Sequence, residues 1–373
     1  MFTAAWTASP QLPSEGFTPN WSREGFWRQS LRQVVRLTAG GERVRVRFSN
    51  AYGNSPVRVA AGAVAAGGSA VRLTFGGAAA GEMPARGELV SDVVQLAVGA
   101  GEPVAVTLYF DSATGPATFH AQAFAAGFRG AGCLLDEGGD EDEDEGGDGF
   151  TESSESWYFL SAVETDSGRR DGIALFGDSI TDGFGSTPGA DRRWSDALAS
   201  RTGRPVLNAG IGGNLLLNDS AWYGERGVGR FGRDVLQLAG VDTVVVLLGL
   251  NDIGFSETDA QPTYKPAPVV SAGEVIAGYR ELIRQAHELT VIGATLLPFG
   301  GSDHWGERAA KVSHEVNEWV RCSGEFDRVV DLNRVMADPV DSDRLHPAYD
   351  FGDHLHPNDE GYGVMADAVV RCL

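Results

Sequence analysis

The sequence predicts a two-domain α/β protein. An antiparallel β-sandwich spans residues 1–165, and residues 166–373 form a parallel sheet covered by helices. Three observations predict it. From about residue 30 to 128 apolar residues alternate with polar ones between Gly-rich turns, the period of half-buried strands. After residue 171 the apolar residues come instead in continuous runs, as in strands buried on both faces. Stretches of helical period separate those runs, and strand alternating with helix implies parallel pairing.

In the first half, "RVRVRFSN", "VRVAAGAV", "AVRLTF" and "PVAVTLYF" read as strands. The clearest places Val44, Val46 and Phe48 on one face and Arg43, Arg45 and Arg47 on the other, expected solvated face. The stretch "DEGGDEDEDEGGDG" at 136–149 holds nine carboxylates and no base, so it is expected to be a disordered, solvated loop. Clustered carboxylates suit calcium, but no fixed ligand spacing is present. In the second half, "IALFGD", "VLNAG", "VVVLLG", "VIGATLLP" and "RVVDL" are the buried strands. "SAGEVIAGYRELIRQAHEL" puts Val275, Ile276, Tyr279, Leu282, Ile283, Ala286 and Leu289 on one stripe, with Ser271 and Glu274 as a capping box. His287 and His314 are expected on helices, facing solvent.

The composition excludes several classes. A net charge of −21 argues against nucleic-acid binding, which needs basic patches. No apolar run is long enough for a membrane span. The start "MFTAAWTASPQ" lacks a basic region followed by an apolar one, so the chain as written is expected to be cytoplasmic, or secreted if it is a truncated form. Cys133, Cys322 and Cys372 form neither a CxxC pair nor an even set, and neither a disulfide framework nor a zinc site follows.

In a parallel α/β sheet ligands bind at the carboxyl ends of the strands. Four segments lie there. "FGDSITDGFG" places Ser179 directly after the first run, "NAGIGGN" is a glycine-rich turn after the second, and "GLND" puts Asn251 after the third. The fourth, "DSDRLHPAYDFGDHLHPNDEGY", spells Asp-x-Leu-His-Pro twice, at Asp343–Pro347 and Asp353–Pro357. Together they meet the needs of acyl transfer. A serine hydroxyl needs a base to take its proton, an imidazole serves near neutral pH, and a carboxylate holds that imidazole in the right tautomer. The negative oxygen of the tetrahedral intermediate needs preorganised donors, here the N–H groups of Ser179 and Gly213 and the amide of Asn251.

"GDSITDG", "NAGIGGN", "GLND" and "DHLHPND" resemble the four ordered blocks of the SGNH (GDSL) hydrolase superfamily, over roughly residues 171–373. The resemblance implies a flavodoxin-like three-layer α/β/α domain and a serine esterase without cofactor. It implies Ser179 as nucleophile, His356 and Asp353 as its partners, and Ser179, Gly213 and Asn251 as the oxyanion hole, with adjacent Gly212 the alternative to Gly213. The N-terminal sandwich, "SWYFLSAVE" and "GDHLHPND" also resemble a subgroup associated with xylan-degradation gene clusters. That implies short acyl esters of carbohydrate, an oligosaccharide or smaller, as substrate. A lipase, lysophospholipase or arylesterase on the same site is the alternative.

Other readings of single residues stand beside these. Asp178 is expected to hold the serine loop through backbone bonds, Asp252 to close a turn, Trp194 to be core, and Arg192 and Arg193 to be solvated. His304 and Trp305, in the loop after the fourth strand, are candidates for lining the substrate pocket, as is His354. Of the two histidine repeats, His356 precedes a helix start at Pro357 and Asn358 that would anchor it, whereas His346 precedes a turn-rich passage with no element to hold it. The carboxylates and histidines of 341–359 also suggest a metallohydrolase, but that leaves "GDS" and "GLND" unexplained. A carbohydrate-binding protein with a vestigial hydrolase half is the third reading.

Overall fold

The computed structural model describes residues 1–135 and 149–373, so the expected acidic loop lies, except for Gly149, outside the described residues. The chain divides into two compact units, Met1–Arg170 and Asp171–Leu373.

The first unit is rich in antiparallel sheet. In one sheet the strands Thr3–Thr7, Leu160–Thr165 and Gly41–Ser49 lie side by side, and Glu88–Val90 and Val94–Val98 both pair with the last. In a second, Gln29–Arg36 and Pro103–Phe110 are central. Alternation places Val44, Val46 and Phe48 from the first sheet and Val104, Val106 and Leu108 from the second in one apolar core. The arginine face departs from expectation at Arg45 and Arg47, which are half-buried, while Arg43 is exposed. Arg45 and Arg47 both donate to Glu164, at 2.5 and 2.6 Å, and Arg43 pairs with Asp166 at 2.9 Å. Glu164 is only 3% exposed, so its desolvated carboxylate needs those two guanidinium groups, and the cross-strand pairing supplies them.

In the second unit five parallel strands, β1 (Gly172–Gly177), β2 (Val206–Gly210), β3 (Val241–Leu247), β4 (Thr290–Ala294) and β5 (Arg328–Val330), lie in the order β2-β1-β3-β4-β5. Chain order reverses at β1, and the crevice between β1 and β3 at their carboxyl ends is where such sheets bind ligands. The helices are α1 (Ser179–Asp182), α2 (Trp194–Thr202), α3 (Gly227–Phe231), α4 (Leu250–Gly254), α5 (Ala272–Gln285), α6 (Glu307–Cys322), α7 (Leu332–Met336) and α8 (Asp359–Val370). The capping box of α5 forms in both directions, Ser271 Oγ accepting from Glu274 N and Glu274 Oε2 from Ser271 N. Its stripe buries Val275, Tyr279 and Leu282. The helix stops at Gln285, so His287 lies beyond it rather than on it, though exposed as expected. His314 is on α6 and exposed, but its Nε2 lies 2.7 Å from Asp343 Oδ1. Among the described residues no helix is long and apolar enough to cross a membrane.

Candidate active site

The buried strand β1 ends at Gly177, where a Cβ would strike Thr181 Oγ1 at 2.1 Å and the Leu247 carbonyl at 2.4 Å. Only glycine lets the chain turn so tightly into α1. Asp178 caps that helix by accepting from Ile180 N at 3.1 Å, which leaves Ser179 at its first position, half-buried. The loop role expected of Asp178 is thus visible in its hydrogen bond, and burial pushes its carboxyl up to about 7.

Ser179 Oγ lies 2.8 Å from His356 Nε2, and His356 Nδ1 lies 2.6 Å from Asp353 Oδ2. The other oxygen of Asp353 accepts the backbone N–H groups of Leu355 and His356, at 3.0 and 2.9 Å. Burial raises the Asp353 carboxyl, but the His356 hydrogen bond and charge and those two N–H groups outweigh it and hold it at about 2. Asp353 therefore remains a carboxylate wherever an imidazole titrates. Asn358 caps α8 by accepting from Gly361 N, and α8 buries Met365, Ala368 and Val369. Tyr362 on that helix donates to the Phe184 carbonyl, and the Phe184 ring sits 4.5 Å from that of His356. The imidazole is fixed by its helix on one side and an aromatic ring on the other.

The second segment meets α1, and the third meets the second. Gly212 N donates to Asp182 Oδ2 at 2.9 Å, whereas no acceptor takes the Gly213 N–H among the described residues. Gly213 has φ +71°, and a Cβ there would meet the Tyr223 ring at 2.4 Å. Asn251 is 4% exposed and donates from Nδ2 to the Asn214 carbonyl at 3.1 Å. Asp252 does not close a local turn. It reaches the neighbouring loop and accepts from Leu216 N and Leu217 N at 2.7 and 3.0 Å, and burial pushes it up to about 7.

The remaining candidates divide. His304 is 2% exposed and lies against Asn251 Oδ1 at 3.3 Å, not on an open pocket wall. Trp305 is half-buried, with its ring against Phe299. His354 is half-exposed, at φ +61°, with Nδ1 2.6 Å from Asp350 Oδ2. His346 is held after all. Leu345 bridges Ala337, His346 N donates to the Met336 carbonyl, and its Nδ1 accepts from Ala348 N. Trp194 is buried, but Arg193 is not solvated as Arg192 is: its stem lies over Gly183 and its guanidinium binds Asp196 at 2.8 and 3.0 Å. Of the carboxylates and imidazoles of 341–359, Asp343 pairs with His314 on α6, His354 with Asp350 and His356 with Asp353. Among the described residues no three His, Cys, Asp or Glu side chains converge to hold a metal.

One residue was missed by sequence reasoning altogether. Arg230, fully buried, donates to the Gly177 carbonyl at 2.8 Å, the Ala209 carbonyl at 2.9 Å and Asn214 Oδ1 at 2.9 Å, and its charge is met by Asp234 at 2.9 Å. It ties together the ends of β1 and β2 and the loop that Asn251 binds. Its i,i+4 relation to Asp234 was the one available signal, and such pairs are common on surfaces.

A parallel sheet with a serine, an imidazole and a carboxylate in line at its carboxyl edge defines an acyl-transferring hydrolase class. The family model described as the GDSL-like lipase/acylhydrolase family matches residues 175–364, and the chain belongs to that family, whose reaction class is carboxylic ester hydrolysis. Solved structures similar to it include a lipase/acylhydrolase from Enterococcus faecalis (22% identity, TM-score 0.41, covering 54% of this chain and 94% of that one). A carbohydrate acetylesterase from Sinorhizobium meliloti has 16% identity and TM-score 0.41, covering 54% and 99%. An acetylxylan esterase variant from Geobacillus stearothermophilus has 21% identity and TM-score 0.41, covering 54% and 94%. No curated protein matches the sequence.

Proposed function

We propose that the chain is a serine esterase that works through an acyl-Ser179 intermediate and takes short acyl esters of carbohydrates. The observation that carries the mechanism is the hydrogen-bonded line from Asp353 through His356 to Ser179, at 2.6 and 2.8 Å. His356 Nδ1–H donates to Asp353, which leaves Nε2 unprotonated to accept the Ser179 proton as Oγ attacks the ester carbonyl. The intermediate's oxygen takes hydrogen bonds from Ser179 N–H, Gly213 N–H and Asn251 Nδ2–H, each worth about 3 kcal/mol of barrier. Gly213 rather than Gly212 serves, because the Gly212 N–H is engaged by Asp182. The imidazolium then protonates the leaving alkoxide, and water repeats the sequence to release the acid. Helix α2 packs with α8 and α8 with α7, while α5 packs with α6 and α3, which supports a three-layer arrangement with one group on each face of the sheet.

For the substrate, the support is the sequence resemblance to esterases of xylan-degradation gene clusters and the aromatic rings near the site. Phe184 and Phe351 lie on the His356 side, and Tyr223, Phe255 and Tyr264 cluster on the Gly213 side. Aromatic faces suit sugar rings. Across aryl esters of increasing acyl length and acetylated xylo-oligosaccharides, kcat/KM is expected to be highest for acetyl and higher for the acetylated sugar than for the aryl acetate. A rise with acyl length would point to the lipase alternative instead.

A further inference from the structure

We infer that Asp303 and His304 are a second acid–imidazole pair, which orients and polarises the Asn251 amide as an oxyanion donor. This rests on the reading of Asn251 given above. A backbone carbonyl only accepts, so the Asn251 atom 3.1 Å from the Asn214 oxygen is the amide nitrogen. Its oxygen therefore faces His304 Nε2 at 3.3 Å, and that ring nitrogen must donate. The opposite nitrogen, Nδ1, lies 2.5 Å from the Asp303 carboxylate and must donate too. Both ring nitrogens thus face acceptor oxygens, Asn251 Oδ1 on one side and the Asp303 carboxylate on the other. His356, by contrast, has one donor and one acceptor.

The surroundings fix this ring. His304 is 2% exposed, and a side chain at Gly254, in α4, would strike its Cβ at 2.5 Å. The rings of Phe255 and Tyr264 meet it edge-on at 5.3 and 5.4 Å. Asp303 is held below the usual carboxylate range, chiefly by the His304 hydrogen bond, with burial opposing it. The Asn214 carbonyl is equally immobile, because that side chain is held by Arg230 and by the Tyr223 and Glu225 carbonyls. One hydrogen of Asn251 Nδ2 is spent on Asn214, and the amide plane then directs the other. A ring N–H bonded to the amide oxygen draws electron density from the nitrogen and strengthens that remaining donor. Without His304 the amide oxygen is left buried without its donor, and the plane is free to turn.

His304 and Asp303 touch neither the nucleophile nor the base, so they are positioning residues, and a double-mutant cycle with Asn251 tests them. In the full chain acting on an aryl acetate, His304→Ala is expected to lower kcat about 10- to 100-fold with KM changed less than about twofold. His304→Gln, which can still donate to the amide oxygen but lacks the ring that bridges to Asp303, recovers part of the loss. In the Asn251→Ala background His304→Ala costs less than about twofold more. An equal loss in both backgrounds, or a raised KM with kcat intact, overturns the inference while leaving the oxyanion reading standing. If Asn251→Ala itself leaves kcat unchanged, the oxyanion reading fails and the inference falls with it. Should His304→Ala fail to fold, Asp303→Asn, at a half-exposed side chain, is expected to show the same cycle.

Discussion

Ser179→Ala lowers kcat for an aryl acetate by roughly four to six orders of magnitude and leaves thermal unfolding nearly unchanged. The loss is large because among the described residues no other hydroxyl is bonded to His356, so the acyl group has nowhere to go. The small structural effect follows from the local geometry. Among the described residues the Ser179 side chain bonds only the imidazole, and such a bond is worth about 1 kcal/mol. The turn itself is held by Asp178, by the carbonyl of Gly177 on Arg230, and by the left-handed Gly183 that ends α1. Retained turnover would refute the covalent mechanism. A variant that fails to fold would show that the serine supports the turn, contrary to these contacts.

His356→Ala is expected to be nearly as damaging, again by roughly four orders of magnitude or more in kcat, while His346→Ala stays within about threefold. The two histidines occupy the same place in two copies of one pentapeptide. Their carboxylates behave differently, however. Asp353 turns back on its own histidine through two hydrogen bonds and on Leu355 N–H through a third, whereas Asp343 binds His314 on α6 and leaves His346 to its neighbour Ala348. The comparison is made by kcat of the two variants on one ester, with unfolding temperature as control. A larger loss from His346→Ala would overturn the assignment of the base.

What could be read from the chain alone, and what could not, divides by the range of the interaction. Continuous apolar runs announced the buried strands because a strand covered on both faces has no polar positions to interrupt it. The Asp353–His356 pair and the caps of α1, α5 and α8 were legible because each joins residues two to three positions apart. The misread residues depend on distant partners. Asp252 looked like a turn former and instead holds backbone thirty-five positions away. Arg193 looked solvated because nothing local showed that Gly183 would accept its stem. His346 looked loose because its support comes from the Ala337–Leu345 bridge. Arg230 and the contact of His304 with Asn251 join loops that follow different strands, and only the sheet order brings those loops together.

The central claim is a covalent acyl-serine at position 179, and the most direct measurement is mass spectrometry of the protein after reaction with an aryl dialkyl phosphate ester. Such a reagent phosphorylates an activated serine and mimics the tetrahedral intermediate in the proposed oxyanion hole. A single adduct on the peptide containing Ser179, absent in Ser179→Ala and forming in step with the loss of esterase activity, is the predicted result. An adduct on another residue, or full activity in stoichiometrically labelled protein, would contradict it.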